Sequence, residues 1–172
     1  YFIGEYIDRF FNIRQLSSEE VVHNGTLIHN YILYEVDTAG YAVNLPAKIV
    51  TANAFPFKVR DSTGVFLTEL KWTYQKEPEV STTLVRNRRY KGDAKYTYKG
   101  KSKNCIKFDL IELVDNYDEG HFEKQYKGVE LYAQNIGLVY YKKDLGENFI
   151  LEYELTDIYS MEKLEEKFKK LK

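Results

Sequence analysis

Apolar and polar residues alternate with a period of two through most of this chain, and no stretch between the alternating runs is long enough to hold a crossover helix. In VFLTELKWTYQK, Leu70, Trp72 and Tyr74 fall on one face and Lys71, Thr73 and Gln75 on the other. In CIKFDLIELV, Ile106, Phe108, Leu110 and Val114 oppose Lys107 and Asp109; in NFILEYELTDI, Phe149, Leu151, Tyr153 and Leu155 oppose Ile150, Glu152, Glu154 and Thr156. A strand with one wet face produces this pattern, because successive side chains project to opposite sides of a pleated sheet. With such short connections the strands are expected to pair antiparallel. An aromatic fraction of 16%, with 16 Tyr and 10 Phe, fits this reading, since both suit half-buried pleated surfaces.

Turn residues divide the remaining strands. Asn24-Gly25 is a strong two-residue hairpin signal, and a strand is expected from about Thr26 to Glu35, ending at the turn residues Asp37 to Gly40. Shorter extended pieces over 48–52 and 55–59 are interrupted by Pro46 and Pro56, which cannot donate to a ladder, so they read as edges. EVSTTLVRNRRY and AKYTYKG read as two strands joined at Lys91-Gly92-Asp93. NYDEG is a turn, and HFEKQY, VELYAQ, GLVYYKK and NFILEYELTDI supply the final strands.

Two segments depart from period two. Ile3, Ile7, Phe10 and Phe11 fall at helical spacing with Glu5, Asp8 and Arg9 between them, which predicts a short N-terminal amphipathic helix. In SMEKLEEKFKKLK, Met161, Leu164, Phe168 and Leu171 form an apolar stripe. Ser160 suits the N-cap, and Glu165 with Lys169 and Glu166 with Lys170 make favourable pairs. Such a helix at the end of a sheet protein is expected to dock on the sheet. The fold predicted is α+β and mainly antiparallel: a single domain over residues 1–172, with a curved sheet or half-barrel packed on the C-terminal helix and the short N-terminal one.

A formal net charge of −1 supplies no whole-molecule field to attract nucleic acid or an anionic membrane. Charge is concentrated locally from Arg86 to Lys103, where Arg86, Arg88, Arg89, Lys91, Lys95, Lys99, Lys101 and Lys103 face one acid, Asp93, with Tyr90, Tyr96 and Tyr98 interleaved. Basic residues on wet faces and edges guard strands against edge-to-edge pairing. The functional alternative is a surface that meets a partner through Arg86, Arg88, Arg89 and Lys91. Nucleic acid is not expected as a partner. Acids later in the chain, Asp109, Glu112 and Asp157 among them, suggest charge balance within the molecule.

Templates for catalysis and metal binding find nothing to fit. His23, His29 and His121 are the only histidines, and none stands in a spacing that brings two imidazoles to one metal. No nucleophile elbow or phosphate loop occurs, and no cofactor is expected. Glu152 and Glu154 share a strand face and are the acid pair on which a hydrolase reading would rest; Asp118-Glu119 lies in a turn. Cys105 has no partner for an internal disulfide and sits in an alternating run as a small buried hydrophobe. No apolar run approaches the roughly 20 residues that span a bilayer. Because the chain starts at Tyr1, it reads as a processed product whose targeting segment, with any lipidated cysteine, lay upstream.

The segment GVELYAQNIGLVYYKKD carries a family resemblance in Tyr132, Ala133, Ile136, Gly137, Leu138 and Val139. It resembles the YAxxVGLV signature of uncharacterised secreted or lipid-anchored envelope proteins of Gram-negative bacteria, Bacteroidetes especially, including DUF3108-like and LolA-like sheets. The resemblance spans residues 106–145 and departs at Gln134-Asn135, where relatives carry Gly or Pro; the corner here must rely on Asn to tolerate an unusual backbone angle. Asp37-Thr38-Ala39 and Asp61-Ser62-Thr63 also resemble the O-glycosylation pattern of secreted Bacteroidetes proteins, and Asn24-Gly25-Thr26 matches an N-glycosylation sequon, though a hairpin turn explains Asn24-Gly25 better. The resemblance implies a periplasmic or outer-membrane-anchored location. The function expected is non-enzymatic: binding of a lipid or other amphipathic ligand, or of an envelope protein, on an aromatic face formed by Trp72, Tyr74, Phe108, Tyr132, Tyr140 and Phe149. The alternative is a surface adhesion or assembly module using the basic hairpin over 86–103.

Overall fold

Close approaches and left-handed turn residues decide how these strands are arranged. The structure is a computed structural model and describes residues 1–36, 40–60, 62–74 and 76–169. Its strands are β1 (Phe2–Ile7), β2 (Ile13–Val22), β3 (Gly25–Val36), β4 (Ala42–Pro46), β5 (Lys48–Ala52), β6 (Phe55–Pro56), β7 (Val65–Thr73), β8 (Ser81–Tyr98), β9 (Lys101–Tyr117), β10 (His121–Ala133), β11 (Gly137–Gly146) and β12 (Phe149–Glu154). One helix, α1 (Met161–Lys169), follows.

Among the described residues the strands form two sheets in which every pairing is antiparallel. The first has the order β1-β2-β3-β4, with β6 paired to β3; the second has the order β12-β11-β10-β9-β8-β7-β5. The chain passes between them at Ala47, whose amide donates to the Tyr31 carbonyl at 2.8 Å. At the other side β1 pairs with β2 and β12 with β11, so among the described residues no ladder closes the two sheets into a barrel. The main core lies near the Ala47 crossing, where Tyr31 and Leu45 of the first sheet meet Leu70, Trp72 and Leu84 of the second.

This architecture corrects the α+β expectation, because two facing sheets bury each other and no helical layer is needed. The N-terminal segment is the edge strand β1, paired with β2 from Phe2 opposite Glu19 to Ile7 opposite Ile13. A short apolar run is ambiguous between helix and strand, and here a ladder partner decided it. The run then ends in a turn: Asp8 Oδ1 accepts from the amides of Phe10 and Asn12 at 2.8 and 2.9 Å, and Phe11 takes a left-handed φ of 65°. The C-terminal helix does form after Ser160 but runs for nine residues; Leu164 is buried while Met161 stays exposed. The stripe position Phe168 and the positions Lys170 and Leu171 lie outside the described side chains.

Two breaks expected at glycines or turn residues are continuous strand, and a third glycine lies outside its expected turn. Lys91-Gly92-Asp93 is a bulge within β8, between Tyr90 opposite Phe108 and Gly92 opposite Lys107, and the chain reverses instead at Lys99-Gly100. HFEKQY and VELYAQ form one strand, β10, through Gly128. Gly25 begins β3 rather than occupying the turn, and its need is spatial: a Cβ there would lie 2.0 Å from the Phe55 carbonyl oxygen, where β6 crosses it. Of the short pieces, the one over 48–52 forms β5, and the one over 55–59 has ladder pairs at Phe55 and Pro56, with the Phe57 amide donating to the Asn24 carbonyl at 3.1 Å.

Candidate functional site

Strand parity brings charged residues into the space between the sheets. In β8, Arg86 and Arg88 share a face with Leu84, which is in the core. In β9, Glu112 shares a face with the fully buried Phe108 and Leu110. Glu130 in β10 and Lys143 in β11 complete the set. Arg86 Nε donates to Glu112 Oε2 at 2.7 Å and Lys143 Nζ donates to Glu112 Oε1 at 2.5 Å. Arg88 grips Glu130 with both Nε and Nη2, at 2.5 and 3.3 Å, and turns Nη1 to the Thr68 hydroxyl at 3.0 Å. Such a two-pronged arrangement fixes orientation as well as charge.

Together these groups form one largely enclosed network of charges. Burial alone would push the Glu112 carboxyl up, but Arg86 and Lys143 outweigh it and hold the carboxyl below its ordinary value. Burial pushes the Tyr31, Tyr132, Tyr6 and Tyr141 phenols up, keeping their hydroxyls protonated. Glu19 on β2 accepts from the Thr26 hydroxyl at 2.5 Å, and desolvation raises its carboxyl. A cavity of about 110 Å³ sits among these side chains, with Glu19, Arg86, Arg88, Glu130 and Lys143 in its wall.

A second, larger space opens on the surface beside it. A groove of about 920 Å³ runs between residues 55–59 and the strands β8, β9 and β10. Phe55, Pro56, Phe57, Val59, Ala94, Ile106 and Tyr132 give it an apolar wall, and Lys58, Asp93, Lys95 and Asn104 supply polar groups. Thr26, Phe55 and Tyr132 border both spaces. The Phe55 and Tyr132 rings stack between them, with centroids 3.9 Å apart and planes 28° from parallel. Tyr132 is placed by the β10–β11 corner: a bulge shifts the register between Leu131 and Tyr132, Asn135 takes a φ of 62° and Gly137 one of 102°. Both angles lie in the left-handed region that Asn and Gly tolerate.

The six aromatic candidates do not share one face. Tyr132 lines the groove. Phe108 is fully enclosed by Phe55, Phe66, Tyr90 and Tyr132 and forms the packing beneath it. Trp72 belongs to the core, Tyr74 packs against its edge, and Phe149 is exposed at the β11–β12 turn. Tyr140 donates its hydroxyl to Glu152, and burial together with that carboxylate pushes the phenol up to about 12. Among the four basic candidates, Arg86 and Arg88 face the interior rather than solvent, while Arg89 and Lys91 are exposed. Lys91 pairs with Asp109 at 3.3 Å and Lys99 with Asp157 at 3.0 Å, so much of the local basic charge is met within the molecule. Glu152 and Glu154 are exposed on β12, and Cys105 is buried with its thiol pushed up by burial.

Sequence reasoning missed Glu130, Lys143, Glu19 and Phe55, and it treated Glu112 only as balancing charge. A parity signal was present for two of them, since Glu112 alternates with Phe108 and Leu110 and Glu130 with Tyr132. Phe55 carried none, because its role depends on where an irregular segment crosses β3.

No protein-family model matches the chain, and no curated protein matches it in sequence. A similar solved structure is described as a "putative lipoprotein" from Parabacteroides distasonis ATCC 8503. The two share 12% identity and a TM-score of 0.49, over 87% of this chain and 89% of that one. At that distance the similarity is one of chain course, and it carries no argument about what this protein binds.

Proposed function

We propose that this chain is a non-enzymatic binding protein of the cell envelope that holds an amphipathic ligand, such as a lipid, in the groove between residues 55–59 and β8–β10. The observation that supports this reading is the groove itself. Its volume of about 920 Å³ falls in the range of small-molecule sites, which are typically ~300–1,000 Å³. Its wall is apolar through Phe55, Phe57, Val59, Ile106 and Tyr132, and Lys58 and Lys95 supply cationic groups that suit an anionic head. The envelope location rests on the resemblance carried by Tyr132 to Val139. The basic-hairpin alternative retains Arg89 and Lys91 but loses Arg86 and Arg88 to the interior.

Mass spectrometry of small molecules extracted from natively purified protein tests the proposal. A lipid present at a substantial fraction of one per chain is the expected result. Phe57→Ser, at an exposed groove position, should reduce that occupancy several-fold without unfolding the protein. Extracts free of lipid, together with no binding of an added fluorescent fatty acid, would overturn it.

A further inference from the structure

We infer that the charged cavity between the sheets is a second binding site, separate from the groove, which takes a small organic anion with a carboxylate. The argument starts from charge geometry. Three cationic side chains, Arg86, Arg88 and Lys143, face two acids engaged with them, Glu112 and Glu130. Glu112 is shared by Arg86 and Lys143, whereas Arg88 has Glu130. The third acid nearby, Glu19, is bonded to Thr26 rather than to a cation. Through direct contacts, three cations are thus met by two carboxylates. A buried cation with donors left over is costly unless something satisfies them.

Donors and space are both available for a guest that would do so. Arg86 commits Nε to Glu112 and Nη2 to the Tyr31 hydroxyl at 3.4 Å, and no hydrogen bond among the described residues uses its Nη1. Arg86 and Lys143 both line the cavity, and a guanidinium beside an ammonium is a suitable arrangement for a carboxylate. The volume of about 110 Å³ admits a molecule of a few heavy atoms and excludes an acyl chain. Tyr6 and Gln15 of the first sheet and Leu151 and Tyr153 of β12 line the same cavity on the side where β1 and β12 form no ladder, and the Tyr6 and Tyr153 rings meet edge to face there, with centroids 5.6 Å apart. Burying five ionised groups is a poor route to stability, since well-packed apolar residues serve at least as well. Clustered, perturbed groups around a cavity are the arrangement that binding sites use.

Propionate is a probe of suitable size and propionamide its uncharged counterpart. Each would be titrated into the wild-type protein at constant ionic strength while the Nε–H resonances of Arg86 and Arg88 are followed by nitrogen-15 NMR. The expected result is a saturable shift of these resonances with propionate, and none with propionamide. Lys143→Met should weaken propionate binding at least tenfold, whereas Arg89→Met, on the exposed face of β8, should leave it unchanged. The wild-type titration remains decisive if Lys143→Met fails to fold. Equal shifts with both probes would mean that shape rather than charge is recognised; these, or no shift with either, would overturn the proposal. Neither probe has an apolar tail that needs the groove, so lipid binding and propionate binding can fail independently.

Discussion

Arg88 and Glu130 form a two-pronged ion pair in the space between the sheets, with contacts of 2.5 and 3.3 Å, and both side chains are almost completely removed from solvent. Neither residue can be understood alone, because each is the charged partner that the other meets between the sheets.

Removing one member should therefore harm the fold more than removing both. Arg88→Met strands the Glu130 carboxylate and Glu130→Gln strands the guanidinium, and each is expected to cost about 3–5 kcal/mol. The double variant Arg88→Met with Glu130→Leu should recover a large part of that loss. Urea denaturation of the four proteins measures this directly, and additive losses would contradict it.

Two buried acids should give stability opposite dependences on pH. Glu112 titrates below its ordinary 4.5 in the folded state, so its contribution is complete above that value and is lost as pH falls through the lower folded pKa. Glu19 titrates above its ordinary 4.5, so its contribution is complete below that value and is lost as pH rises through the higher folded pKa. Glu19→Gln should accordingly gain stability relative to wild type between acid and neutral pH. Glu112→Gln should lose most at neutral pH and progressively less in acid. Denaturant midpoints across a pH series check both signs.

Gly25→Ala should be severely destabilising, although the residue it introduces is small. The added methyl would meet the backbone oxygen of Phe55, which cannot swing aside like a flexible side chain. The expected cost is about 1–3 kcal/mol, the range of forced overpacking, with β6 displaced from β3. Weakened exchange protection at the amide of Phe57, which donates to the Asn24 carbonyl, would report that displacement.

Asp8 holds the turn that presents Phe10 and Phe11 to solvent. The Asn12 amide, with the Phe10 amide and Arg14, lowers its carboxyl to about 2. Asp8→Ala should speed hydrogen exchange at the Phe10 and Asn12 amides while leaving the core unchanged. In wild type the same amides should loosen only as pH falls toward 2, because the turn depends on the ionised carboxylate.

Trp72→Phe should cost less than the loss of a buried indole would suggest. Trp72 Nε1 is buried without a hydrogen-bond partner among the described residues, so the substitution also removes an unsatisfied donor, worth about 1–3 kcal/mol. A net change within about 1 kcal/mol is expected, against about 2–5 kcal/mol for Leu70→Ala in the same cluster. Thermal or urea unfolding of the two variants provides the comparison.

The sequence by itself determined which segments are extended, because alternation such as Leu70, Trp72 and Tyr74 against Lys71 and Thr73 is a local property of a pleated chain. It also determined the antiparallel pairing, through short connections, and the left-handed corner at Asn135 and Gly137. Tertiary structure alone decided what each face meets. Arg86 and Arg88 read locally as part of a solvated basic run; they became interior only because Glu112 and Glu130, on the two strands beyond them, arrived at the same face. Gly92 and Gly128 looked like strand breaks, yet ladder pairing holds the chain extended through them, with β9 alone at Gly92 and with both β9 and β11 at Gly128. The N-terminal apolar run became a strand because β2 offered an edge. In each case the deciding energy is a contact between segments distant in the chain: a salt bridge, a ladder hydrogen bond or a steric limit, none of which period or composition can encode.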